Sequence, residues 1–135
     1  MKYVMLIVDE VGYWEKLPED KRTEAFDRIG QWWGELSQKG TIVGGHQLQP
    51  AHTATTVKVH GGKADVANGP IFISAGPFSE SKEAVGGYGI LDVANLDEAI
   101  AIVKSWPGDA KLELRPIVES ASMENLPSAQ AAARR

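Results

Sequence analysis

The chain has 135 residues, no cysteine and a formal net charge of −4, from 14 Lys+Arg against 18 Asp+Glu. That length suits one domain with a real hydrophobic core. The mild acidity, with no basic stripe, argues against a nucleic-acid partner, and the missing cysteines rule out disulfides, thiolate metal sites and thiol nucleophiles. No apolar run reaches the roughly 18 residues of a membrane span, and Met1 to Val8 lacks the basic start of a signal peptide, so no membrane association is expected and the cytoplasm is the expected compartment.

Tyr3 to Val8 (YVMLIV) is a short apolar run that reads as a strand covered on both faces, closed by Asp9-Glu10. A helix is predicted from Pro18 to Lys39, with Pro18 suited to its first turn and Gly40 to its stop. Its apolar positions Ala25, Phe26, Ile29, Trp32, Trp33 and Leu36 share one side of a helical wheel. Thr41 to Gln49 resumes as a strand interrupted by Gly44-Gly45, where a ligand or another backbone is expected to approach closely. Thr55 to Val59 and Pro70 to Ser74 read as a hairpin joined by HGGKADVANG. Gly86 to Val93 is a further strand. Asn95, with Glu98 three residues on, is the capping-box start of a second helix, ended by Pro107-Gly108. Lys111 to Val118 reads as the last strand, and residues 119–135 as a polar, Ala-rich tail, partly helical or disordered, outside a domain of residues 1–118.

The order β-α-β, hairpin, β-α-β is the ferredoxin-like split βαβ pattern with an inserted β-hairpin, an α+β fold. Two helices cover one face of such a sheet, yet the strands are apolar on both. A second copy of the chain is the simplest cover for the other face, so a homodimer is expected.

His46, beside Gly44-Gly45, is the leading acid–base candidate, since imidazole exchanges protons near neutral pH. Lys82 and Glu83, in a loop before Gly86-Gly87, are candidates for binding an anionic or hydroxylated ligand, with Glu83 as a possible second acid–base group. Arg115, alternating outward from Leu112 and Leu114, offers a fork for a carboxylate, with a salt bridge across the sheet or the dimer, to Glu113 of a neighbour or to Asp92, as its plainer use. Trp32, Phe78 and Tyr88 are candidate walls of an apolar pocket, with Gly45 against the ligand; Trp33 and Phe26 read as core. His46, His52 and His60 show no metal-site spacing, so no metal and no cofactor are expected. Two functions fit: a metal-independent lyase-, hydrolase- or isomerase-like enzyme acting on an unidentified small molecule, or a non-catalytic ligand-binding or regulatory module. A cofactor-free oxygenase is a third, by fold analogy alone.

The chain also resembles a known family. Met1 to Leu6, Gly44-Gly45 with Leu48 and Pro50, Gly76-Pro77-Phe78 followed by Ser81-Lys82-Glu83, Gly86-Gly87-Tyr88, Asn95 to Ala99 and Glu113 to Pro116 resemble the YCII-related family in its DGPF-domain branch. The resemblance covers about Met1 to Val118. It implies a dimeric α+β barrel in which two sheets face each other, an acid–base His–Asp pair in some members, and a link of some branch members to alternative sigma factors. Where the branch motif has Asp, this chain has Ala75; if that Asp takes part in chemistry, this chain lacks it at that position.

Overall fold

The computed structural model describes residues 1–73 and 82–119. Its elements in chain order are β1 (Lys2–Glu10), α1 (Tyr13–Lys16), α2 (Glu19–Gln38), β2 (Ile42–Gln47), a 3-10 turn at Ala51–Thr53, β3 (Thr55–His60), β4 (Lys63–Asn68), β5 (Glu83–Asp92), α3 (Leu96–Lys104) and β6 (Lys111–Pro116). β2, β5, β1 and β6 form a four-stranded sheet in that order, antiparallel throughout. This is the ferredoxin-like α+β arrangement expected from the element order.

Local chemistry sets the element ends. Asn95 caps α3 by accepting from the Glu98 N–H at 2.9 Å, and Glu98 reaches back to the Ala94 N–H at 2.8 Å. At the end of α2, Thr41 N–H bonds to Leu36 O at 2.9 Å and Gly40 N–H to Ser37 O at 3.1 Å, the paired bonds of a Schellman stop.

One expectation is corrected. The hairpin pairs Thr55–His60 with Lys63–Asn68, not with Pro70 to Ser74. Gly61 and Gly62 both have positive φ, 56° and 79°. A two-residue turn that needs φ > 0 twice is the tightest hairpin connection, and it starts the second strand at Lys63 rather than at Pro70. The hairpin forms its own two-stranded sheet and leaves Val57 and Val66, paired across it, exposed.

The core lies between the sheet and the two longer helices. Tyr3, Met5, Ile42, Leu91, Val93 and Ala99 are buried there, with Trp32, Trp33 and Leu36 of α2, Ile102 and Val103 of α3 and Trp106 just after it packed against them. Pleating then points Val4, Leu6, Tyr88 and Ile90 to the other face. The register lines these up in rows: Arg115, Val4, Ile90 and Gly44 in one, Glu113, Leu6, Tyr88 and His46 in the next.

Candidate functional site

β1 runs on past its apolar stretch to Glu10, and its Asp9 lines a cavity of about 780 Å³. The local geometry is set by a bulge in β5. Ile7 pairs with Gly87 and Val8 with Val85, which leaves Gly86 as the extra residue. A Cβ on Gly86 would stand 2.8 Å from Asp9 Oδ2, so the missing side chain makes the room the carboxylate occupies.

After β1 the chain turns at Gly12 into the single turn of α1, which brings Trp14 back over the strand end. Trp14 Nε1–H donates to Asp9 Oδ2 at 3.3 Å. The same indole stacks on Phe26 of α2, with ring centroids 4.6 Å apart and planes 19° from parallel, and Tyr13 meets it edge-on at 5.2 Å. Burial among these groups pushes the Asp9 carboxyl above the usual aspartate range, and the Trp14 hydrogen bond only partly offsets this.

α2 supplies the roof. Arg22, Phe26, Ile29, Gly30, Trp33 and Gly34 all line the cavity, spaced as one stripe of a helix. The far wall is the end of β2 and the segment after it, Gly45 to Ala51, held to β5 by the Leu48 N–H to Gly86 O bond at 2.9 Å. Gly45 has φ 140°, and a Cβ there would run into Tyr88 O, Gly89 Cα at 2.7 Å and Trp33 Cζ2 at 2.7 Å. The close approach expected at this glycine is made by the β5 backbone together with the Trp33 ring.

The sequence-predicted residues are distributed as follows. His46 borders the cavity, but its Nδ1 lies 3.1 Å from the Tyr88 hydroxyl, and Tyr88 points away from α2 because Gly89 beside it faces Trp33. The imidazole is therefore drawn toward the opposite sheet face, where Tyr88 walls no part of the cavity. Glu83 is committed to an ion pair with Lys111 Nζ at 2.8 Å. Lys82 Nζ stands 4.8 Å over the Phe72 ring. Arg115 pairs with Glu113 at 2.6 Å in its own strand. Trp32 donates to Ser105 Oγ at 2.8 Å and sits edge-on to Trp106, so Trp33, not Trp32, walls the cavity. Phe78 and Ala75 lie outside the described residues. Among the described residues no group of three or more His, Asp or Glu side chains is placed to hold a metal ion. No helix there is long and apolar enough to cross a membrane.

Sequence reasoning missed Asp9, Trp14 and Arg22. Asp9 read as a charge closing a strand. The signal available was its position directly after a buried strand, where an acid is either solvated or enclosed; only the return of Trp14 decides which.

An antiparallel ferredoxin-like sheet with an aromatic-lined cavity around one enclosed carboxyl defines the class: a small α+β protein with a small-molecule-sized pocket. Residues 1–120 match the YCII-related domain, and the chain belongs to that family. It is also similar to an uncharacterized protein of Rhizobium meliloti (strain 1021), 25% identical over 124 residues, covering 87% of this chain and 92% of that one.

Proposed function

We propose that this chain binds a small, largely apolar molecule in the cavity beneath α2 and carries out a metal-independent proton transfer on it, with Asp9 as the group that gives or takes the proton. The observation that carries this reading is the half-buried Asp9 carboxyl, raised in pKa by burial and hydrogen-bonded by the Trp14 indole beside an aromatic wall. A carboxyl raised toward working pH is matched to acid–base catalysis, because it can hold a proton and also release it. The cavity volume of about 780 Å³ lies within the range of sites for molecules of drug size. Isomerase-, lyase- and hydrolase-like reactions all use such a step. Asp9 also supplies an acid in a chain that has Ala75 where the branch motif of the DGPF domain has Asp.

The reading includes a homodimer of facing sheets, the dimeric α+β barrel. Its support is the sheet face away from the helices, with Val4, Leu6, Tyr88 and Ile90 side by side, and the exposed hairpin valines Val57 and Val66. His46 and Tyr88, hydrogen-bonded on that face, then stand at the contact between copies.

The test is a fragment screen by NMR on the full chain, reading the indole N–H signals. Fragments that move the Trp14 and Trp33 signals, and still bind when Asp9 is replaced by Asn, support the binding half. Proton exchange on a bound fragment that is lost in Asp9→Asn supports the chemical half. Exchange that survives Asp9→Asn but not His46→Gln transfers the acid–base role to His46. Binding with no Asp9-dependent exchange on any bound fragment leaves the non-catalytic module as the function.

A further inference from the structure

Arg22 stands at the N-terminal end of the cavity-lining stripe of α2, one helical turn before Phe26. Its side chain is half-buried and, among the described residues, makes no ion pair or side-chain hydrogen bond. The contrast lies six residues on: Arg28, on an outer face of the same helix, is exposed and paired with Glu24 at 2.7 Å. An arginine half-removed from water without a carboxylate has given up hydration for no partner in its own chain. Among the described residues it is the one Lys or Arg that lines the cavity. Three acids line the same cavity: Glu10 and Glu15 are exposed, so water screens their charge more than it screens Arg22, and Asp9 is half-buried, which favours its neutral form.

We infer that Arg22 is the anion-binding residue of this cavity, and that the ligand is a small carboxylic acid with an apolar, ring-sized body. The guanidinium fork matches one carboxylate with two parallel hydrogen bonds. Phe26, Trp14 and Trp33 then take the body, and Asp9 meets it on the β1 side. A lone fork among apolar walls fits a singly charged carboxylate better than a phosphate, which draws several cationic or backbone donors. This inference rests on the small-molecule reading above and assigns the class of ligand within it.

The experiment compares trans-cinnamate with its neutral amide, trans-cinnamamide, titrated into the full chain and followed by the Trp14 and Trp33 indole signals. The expected result is that cinnamate binds at least about tenfold more tightly than the amide, the loss of a charged hydrogen-bonding pair being of that order. Arg22→Gln should remove that preference, weakening cinnamate far more than the amide. An unaltered indole spectrum of the free variant shows that it folds. Equal binding of acid and amide, or an acid preference that persists in Arg22→Gln, overturns the role of Arg22 and leaves the cavity reading standing. If neither probe moves the cavity tryptophans at millimolar concentration, both fall.

Discussion

Gly86 and Asp9 are matched across the β1–β5 bulge: the space a Cβ would need at Gly86, 2.8 Å from Asp9 Oδ2, is the space the carboxylate fills. The atom in the way is the end of a side chain that can swing, so Gly86→Ala should fold. Asp9 must then leave its place beside Trp14. The expected result is a shift of the Trp14 indole signal and a loss of Asp9-dependent proton exchange, with thermal stability lowered by no more than about 1–2 kcal/mol. An unmoved Trp14 signal in folded Gly86→Ala would show that the bulge does not position the acid.

Gly45 is the opposite case. A Cβ there meets backbone of β5 and the Trp33 ring together, at a φ that side chains rarely adopt. Gly45→Ala should cost about 3 kcal/mol or more, measured by urea unfolding. A loss under 1 kcal/mol would mean that β2 can shift away from α2 freely.

The raised Asp9 pKa has a pH signature. The folded state holds this proton more tightly than the unfolded chain, whose aspartate titrates at its ordinary value of 3.8. Between that value and the higher folded one, the unfolded state binds fewer protons, so this group's contribution to stability falls as pH rises. Asp9→Asn removes the term and keeps an acceptor for Trp14. The variant should be more stable than the parent at pH 7, with the gain fading as pH falls toward 3.8. An equal or lower stability of Asp9→Asn at pH 7 would contradict the enclosed-acid description.

Gly30 and Gly34 sit inside α2, where glycine costs about 0.5–1 kcal/mol against alanine. Nothing lies within 4 Å of a Cβ at either position, and both border the cavity. Gly30→Ala and Gly34→Ala should each raise stability by about that amount. Gly34→Leu should keep the fold and weaken cavity ligands at least tenfold, read by the same indole titration. Undiminished binding in Gly34→Leu would show that the ligand does not reach the helix wall.

Ile90 lies on the sheet face without a helix, beside Val4 and across from Gly44. If two copies join there, Ile90→Arg should turn the dimer into a folded monomer in sedimentation velocity. A parent chain that sediments as a monomer at all concentrations would remove the barrel from the proposal.

The strands of the main sheet, both longer helices and their order were legible in the sequence because each rests on local chemistry: the apolar run of β1, the α2 stripe, the Asn95–Glu98 cap; the short α1 and the strand β4 were not. The hairpin register was not. Gly61-Gly62 and Ala67-Asn68-Gly69 all look like turns, and only ladder pairing separates them. The candidate site was legible only in its outer parts. Gly45 and His46 were marked by their glycine context, but the side of the sheet to which His46 turns depends on Tyr88, 42 residues away.

The sequence by itself determined the four strands of the main sheet, the two longer helices, the α+β class and a sheet apolar on both faces, because propensity, capping and periodicity act over a few residues. The tertiary structure alone decided which polar groups are enclosed. Asp9 becomes an acid in an aromatic wall only when α1 folds back and α2 lays Phe26 against Trp14. Glu83 gains its ion-pair partner only when β6 brings Lys111 within reach, 28 residues along the chain. Desolvation and pairing depend on neighbours brought from distant parts of the chain, and no local pattern of residues encodes that proximity.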